Sequence, residues 1–331
     1  MPEYVMAAEN LSRFYPQRSV KIGDAYPPVK AVDGVSFALK AGETLSIIGE
    51  SGCGKSTLGR LLVQLETQDA GNLTLAGQDA VALHRKDPLA FKRAAQIVFQ
   101  NPFDAFNPRF TILKSMLRPL KIHGIGRNDG ERKELCRQAL VSAGLTPPDD
   151  FLRRFPHELS GGQLQRISIL RSMLLEPRFM VADEPVSMLD VSVRADVMNL
   201  LQRLTSQRHM ALVFISHDLA TTRYIADRIA VMYLGRFVEI GASEEVLNHP
   251  LHPYTRALLS ACGSVDQESF DPIEIAGEPP VPIGAGPGCY FAPRCFEAGP
   301  ECGENYPPLM ELAPGHFVSC CHCAMKGVET P

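Results

Sequence analysis

Gly49-Glu50-Ser51-Gly52-Cys53-Gly54-Lys55-Ser56-Thr57 decides the fold of this 331-residue chain. The string fits G-x-x-x-x-G-K-[ST], a loop whose backbone N–H groups cradle nucleotide phosphates. Gly49, Gly52 and Gly54 let the backbone wrap closely. The helix that follows points its positive end at the same place. Lys55 reaches terminal phosphates there, and Ser56 offers a hydroxyl to Mg²⁺.

The neighbouring segments carry the periods that this loop requires. Thr44–Ile48 reads as a strand running into the loop, Val35–Leu39 as another, and Lys55–Glu66 as the helix leaving it. Ile97–Phe99 is a short strand. Phe179–Ala182 and Ala211–Ile215 are apolar throughout, the mark of strands buried on both faces of a parallel sheet. Val191–Gln207 reads as the helix between them. Ile229–Tyr233 and Phe237–Ile240 form a hairpin around Gly235. Asn101 to Pro156 changes character, with helical segments such as Glu131–Ala143 set among Pro and Gly. Gln163–Leu175 and Tyr254–Ala261 complete the helices. The expected fold is an α/β P-loop NTPase with a mostly parallel sheet, a helical subdomain and a small irregular Cys-rich C-terminal module. The expected boundaries are an ATPase domain over 1–262, a helical insertion over 101–158 and an extension over 263–331.

Composition narrows the function classes. Net charge is −4 and 45% of residues are hydrophobic, so a real core is available and nothing electrostatic favours nucleic acid. No apolar run approaches the length of a membrane span. The first ten residues lack the basic-then-apolar pattern of a secretory signal. A cytosolic chain is the expectation, and that argues against a disulfide framework for its nine cysteines. Cys53, Cys136 and Cys262 read as plain residues. The other six crowd the last part of the chain.

Two further strings sit where phosphate chemistry needs them. Asp183 ends an apolar strand, the usual place for a carboxylate on Mg²⁺, and Glu184 follows, close enough to orient or deprotonate an attacking water. Leu159-Ser160-Gly161-Gly162-Gln163 contains the capping box Ser160-x-x-Gln163. A capped helix start with two glycines is also an anion site.

With these strings in this order, the chain resembles the ATP-binding subunit of an ABC transporter, over roughly residues 5–262. The resemblance implies roles residue by residue. Tyr15, or adjacent Phe14, resembles the aromatic that stacks on adenine. Gln100 resembles the glutamine that contacts Mg²⁺ and water and links to the membrane partner. Ser187-Met188-Leu189-Asp190 resembles the D-loop, with Asp190 among the nucleotide-binding residues, and His217 the switch histidine at the γ-phosphate. It implies two subunits meeting head to tail, so that Ser160, Gly161, Gly162 and Gln163 of one cap the ATP on the loop of the other.

Gln100 to Arg109, and His252-Pro253-Tyr254-Thr255-Arg256-Ala257-Leu258, are similar to segments of dipeptide and oligopeptide importers. So are Gly277-Glu278-Pro279-Pro280, Gly288 to Cys295, and Gly315 to Cys320; the same arrangement occurs in relatives carrying nickel or glutathione. Cys289, Cys295, Cys302 and Cys320 are spaced C-x5-C-x6-C-x17-C. Four thiolates suit Zn²⁺ or an iron–sulfur cluster, and the resemblance implies [4Fe-4S]. Cys321 and Cys323 depart from the simple pattern.

The resemblance therefore implies an ATPase using ATP and Mg²⁺ at the cytoplasmic face of the inner membrane. Its partners would be a second ATPase subunit (a heterodimer in preference to a homodimer), two integral permeases and, indirectly, a solute-binding protein, with no nucleic acid. A non-transport ABC protein would carry two cassettes or a long coiled-coil insertion, and neither is present. A radical enzyme would carry C-x3-C-x2-C, which is absent.

Overall fold

The computed structural model describes residues 4–17, 26–261, 273–275, 277, 280, 283 and 286–326. Cys262, Glu278, Pro279 and part of the stretch between Pro16 and Lys30 lie outside them. Twelve strands run in chain order: β1 (Met6–Tyr15), β2 (Val29–Leu39), β3 (Thr44–Ile48), β4 (Ala70–Leu75), β5 (Gln78–Asp79), β6 (Ala95–Val98), β7 (Phe179–Asp183), β8 (Ala211–Ile215), β9 (Arg228–Tyr233), β10 (Arg236–Ala242), β11 (Met310–Ala313) and β12 (His316–Val318).

They form two sheets. The larger has the order β11-β12-β10-β9-β3-β8-β7-β6, and the smaller β2-β1-β4-β5. In the larger sheet β6, β7, β8, β3 and β9 are parallel neighbours. β3, β7 and β8 are buried at every residue, as both-face coverage requires. The register pairs Ile47 with Ile215 and Asp183 with Ile215. The C-terminal ends of β3, β7 and β8 are thus level, and the loops leaving them share one rim. Ligands of open α/β sheets bind outside such carboxyl ends.

A helical layer is packed on one core by Ile112, Met116, Leu120, Cys136, Leu140, Leu152, Leu164 and Ile167. Its helices are Ile112–Ile122, Asp129–Ser142, Pro148–Arg153 and Gly161–Met173. Each start carries its own signal. Thr111 and Asn128 accept backbone N–H groups with their side chains, and Ser160 forms the expected capping box with Gln163.

The C-terminal stretch is more ordered than its composition indicated. β12 pairs antiparallel with β10, Glu239 opposite Val318, and β11 pairs with β12. The extension therefore adds two strands to the edge of the main sheet. Its aromatic anchor Phe291 is 1% exposed and shares a core with Tyr233, Tyr254 and Tyr290. Among the described residues no helix is long and apolar enough to cross a membrane.

Candidate functional site

The rim above β3, β7 and β8 holds an open cleft of about 660 Å³, lined by Glu50 to Thr57, Gln100, Glu184 and His217, and by Val29, Ala31, Tyr233, Leu234 and Pro280. Its floor is the Gly-rich loop. Gly54 has φ +108°, and a Cβ there would stand 2.0 Å from the Ala31 carbonyl oxygen. A Cβ on Gly49 would stand 2.2 Å from the Met232 carbonyl oxygen. Neighbouring backbone fills the space behind the loop, so only glycine fits at either place.

Lys55 is buried. Its Nζ donates to the carbonyls of Gly49 at 2.7 Å and Glu50 at 2.9 Å, which holds the ammonium over the loop. Ser56 Oγ donates to Asp183 Oδ1 at 3.0 Å. Burial lifts the Asp183 carboxyl above its usual range, while the Ser56 hydrogen bond pulls it back. A hydroxyl and a carboxylate side by side, on a cleft that Gln100 also lines, form a hard oxygen pair that could hold Mg²⁺ beside phosphates.

Glu184 sits between two partners. Gln100 Nε2 donates to its Oε2 at 2.7 Å, and His217 Nδ1 lies 3.2 Å from its Oε1. Glu184 itself has φ +45°, a left-handed conformation that is uncommon outside Gly, Asn and Asp. Its N–H is tied to the Ile215 carbonyl at 3.0 Å. The backbone is held in this shape by β8, and the shape places the carboxylate at the cleft.

Other predicted residues do not line the cleft, although Tyr15 is hydrogen-bonded to Thr57, which does. The Tyr15 hydroxyl bonds Glu66, and the Arg13 guanidinium stands 4.9 Å from the Tyr15 ring centroid. The Phe14 N–H donates to Asp69. Ser160, Gly161, Gly162 and Gln163 sit at the start of their helix, where the side chains of Ser160 and Gln163 each accept the other's backbone N–H. Asp190 precedes the helix Val191–Arg208 without a side-chain capping bond. Met188 and Val191 beside it are 65% and 80% exposed.

The cysteines do not form the expected metal centre. Among the described residues no three His, Cys, Asp or Glu groups are placed to hold a metal ion. The thiols are free, and two pairs are hydrogen-bonded: Cys320 with Cys323, which lowers the Cys320 thiol, and Cys321 with Cys302. Burial pushes Cys289 up to about 11, with Cys320 and Cys302 close enough to add to it. This arrangement fits neither the [4Fe-4S] cluster nor the zinc alternative as a preformed site.

The sequence reading gave no role to Arg294, although the string Gly288 to Cys295 contains it. Its guanidinium reaches Glu50 of the Gly-rich loop.

Comparison with known proteins places the chain in a family. The ABC transporter family profile matches residues 32–187, and the oligopeptide/dipeptide transporter C-terminal region matches residues 238–302. The oligopeptide transport ATP-binding protein AppF of Bacillus subtilis (strain 168) is 44% identical, over 96% of this chain and 97% of its own. The dipeptide transport ATP-binding protein DppF of Haemophilus influenzae is 44% identical, over 96% of both chains. The chain belongs to the ATP-binding proteins of the oligopeptide/dipeptide ABC transporters. Among solved structures, the ATP-binding cassette MJ0796, a dimer in a post-hydrolysis state bound to ADP and Pi, matches 72% of this chain and 98% of its own. That match has a TM-score of 0.63 and 25% identity. Membership of this family implies membrane permease partners.

Proposed function

We propose that this chain hydrolyses ATP to drive import of dipeptides or oligopeptides from the cytoplasmic face of the inner membrane. The observation that carries the proposal is the Glu184 carboxylate, held between Gln100 and His217 at the mouth of the Gly-rich loop. Glu184 orients and deprotonates the attacking water. Lys55 and the loop amides of Ser51, Gly52, Cys53 and Gly54, with those of Lys55, Ser56 and Thr57, hold the phosphates. Ser56, Asp183 and Gln100 hold Mg²⁺, which neutralises charge developing on the transferred phosphoryl group. His217 faces the γ-phosphate, and Tyr15 supplies an aromatic face to adenine.

Ser160 to Gln163 and Asp190 belong to a second, composite half of the site. The helix start they mark is capped and glycine-rich, with Leu189 and Val193 against its glycines, and Met188 and Val191 next to them in sequence are exposed. An apolar strip beside an anion-binding helix start suits a second ATPase subunit docking head to tail, in a heterodimer. The relatives' names support a peptide as the solute. The family resemblance supports a further reading, in which Cys289, Cys295, Cys302 and Cys320 together bind a [4Fe-4S] cluster that staples the extension and draws Cys302 and Cys320 away from Cys321 and Cys323.

The experiment is purification of the complex from native membranes, followed by reconstitution in vesicles with its binding protein. ATP-driven uptake of a labelled dipeptide or oligopeptide is the expected result. Uptake of nickel or glutathione in its place, or no integral partner at all, would overturn it.

A further inference from the structure

Arg294, in the extension that follows the ATPase motifs, grips the phosphate-binding loop. Its Nη1 donates to Glu50 Oε2 at 2.8 Å and its Nη2 to Glu50 Oε1 at 3.1 Å. This is a two-pronged pairing that a guanidinium makes and an ammonium does not. The Arg294 side chain is 7% exposed, so water screens the pair little. The same guanidinium also donates to the Tyr233 hydroxyl and the Gly277 carbonyl.

Glu50 is fixed at two more atoms. Its N–H donates to the Tyr254 hydroxyl at 2.9 Å, and its carbonyl accepts from Lys55 Nζ at 2.9 Å. Tyr254 comes from the His252–Leu258 string and is fully buried. It packs edge-on against Phe291, and Phe291 edge-on against Tyr233. A rigid aromatic cluster thus backs the loop. A second latch fastens the facing wall. Tyr290 donates to Asp33 Oδ2 at 2.8 Å, two residues along β2 from Ala31, whose carbonyl abuts Gly54.

The chemistry demands such a clamp. Glu50 puts a carboxylate on the wall of a cleft built for phosphates. Uncompensated, that charge would repel a nucleotide.

We infer that Arg294 is a positioning residue for ATP: it neutralises Glu50 and sets the loop, so the C-terminal extension tunes the nucleotide affinity of the ATPase core. This rests on the ATP-site reading above. Arg294 sits directly before Cys295, so the order of the cysteine segment reaches the ATP loop through its guanidinium.

The test uses the assembled complex and steady-state ATP hydrolysis. Arg294→Gln should raise the KM for ATP about ten-fold, the low end for a charge-assisted hydrogen bond, with kcat held within about two-fold. Adding Glu50→Gln to Arg294→Gln should return KM to within about three-fold of wild type, because the stranded charge is then gone. Arg294→Lys keeps the charge without the fork, and should raise KM less than Arg294→Gln. If Arg294→Gln fails to assemble, the double variant and Arg294→Lys carry the same comparison. An unchanged KM in the variants that assemble, or a double variant as impaired as Arg294→Gln, would overturn the inference. A wild-type complex without Glu184-dependent ATPase activity would overturn the site reading as well. Activity that depends on Glu184 and ignores Arg294 would overturn this inference alone.

Discussion

Gln100 Nε2 donates to Glu184 Oε2 at 2.7 Å across 84 residues of sequence. One residue leaves β6 and the other leaves β7, and the parallel pairing of those strands brings them together. A glutamine that reports to the membrane partner would therefore be wired directly to the carboxylate that handles the water.

Glu184→Gln removes the proton acceptor while Lys55, Ser56 and Asp183 stay in place. ATP should still bind, and turnover in the assembled complex should fall by about 10²–10⁴, the range for a lost general base. Steady-state phosphate release and retained nucleotide measure the two effects. Wild-type turnover in this variant would remove Glu184 from the role given to it.

Ser160→Arg should harm the partner's nucleotide more than its own. The substitution breaks the capping box at a cost of about 1 kcal/mol to the helix start and places a bulky cation where a γ-phosphate would dock. Site-resolved photolabelling of the two subunits distinguishes them. Loss confined to the nucleotide on Lys55 of the same chain would rule out the head-to-tail arrangement.

His252 gives the protein an acid-side weakness. It is 1% exposed, and its Nδ1 accepts the Tyr254 N–H at 3.0 Å, a bond that needs the neutral ring. Burial brings its pKa down to about 4, against the opposing pull of the Glu239 carboxylate. An unfolded histidine takes its proton near 6.5. Below that pH the unfolded chain gains the proton first, so stability is full above about 6.5 and declines as pH falls towards 4. The loss is at most ~3 kcal/mol. Thermal midpoints measured between pH 7.5 and 5 should drop, and His252→Asn, which keeps a cap acceptor, should flatten the drop. Equal slopes in both proteins would contradict this account.

Anaerobically purified protein should be brown and hold about four irons per chain if the thiols bind a cubane cluster. Cys295→Ser or Cys302→Ser should bleach it and loosen the extension beyond Gly277, with the sheet from β3 to β8 still folded. A colourless protein with one zinc, or with no metal, would reject the cluster.

The sequence exposed some of this architecture and concealed the rest for physical reasons. β8 lies where its apolar run puts it, and β7 extends one residue beyond its own to Asp183, because strands buried on both faces need no alternation. β1 escaped notice because bulges interrupt its pairing with β2 and β4 and Asn10 takes φ +51°, which breaks the period of two. β12 has three residues, and its partner β10 is distant in sequence, so no local pattern marks it. The same division runs through the site. Gly49 to Thr57, Gln100, Glu184 and His217 are each a loop at a strand end, and such loops carry readable strings. The Arg294–Glu50 pair spans 244 residues and exists only once the extension has folded back on the core.

Glu239 of β10 is fully buried, and His316 Nε2 lies 2.7 Å from its carboxylate. During synthesis on the ribosome, β10 emerges 77 residues ahead of His316. Through that interval Glu239 lacks its imidazole partner, and the outer edge of β10 lacks β12. An unpaired strand edge invites wrong pairings, and until His316 arrives Glu239 has, among the described residues, only the Leu251 and His252 N–H groups as partners. The nascent ATPase is therefore held incomplete until its tail arrives. A message cut short, or a ribosome stalled before β12, leaves β10 as the unpaired edge of the main sheet. Such fragments would be left to chaperones and proteases before they could occupy a place in the membrane complex.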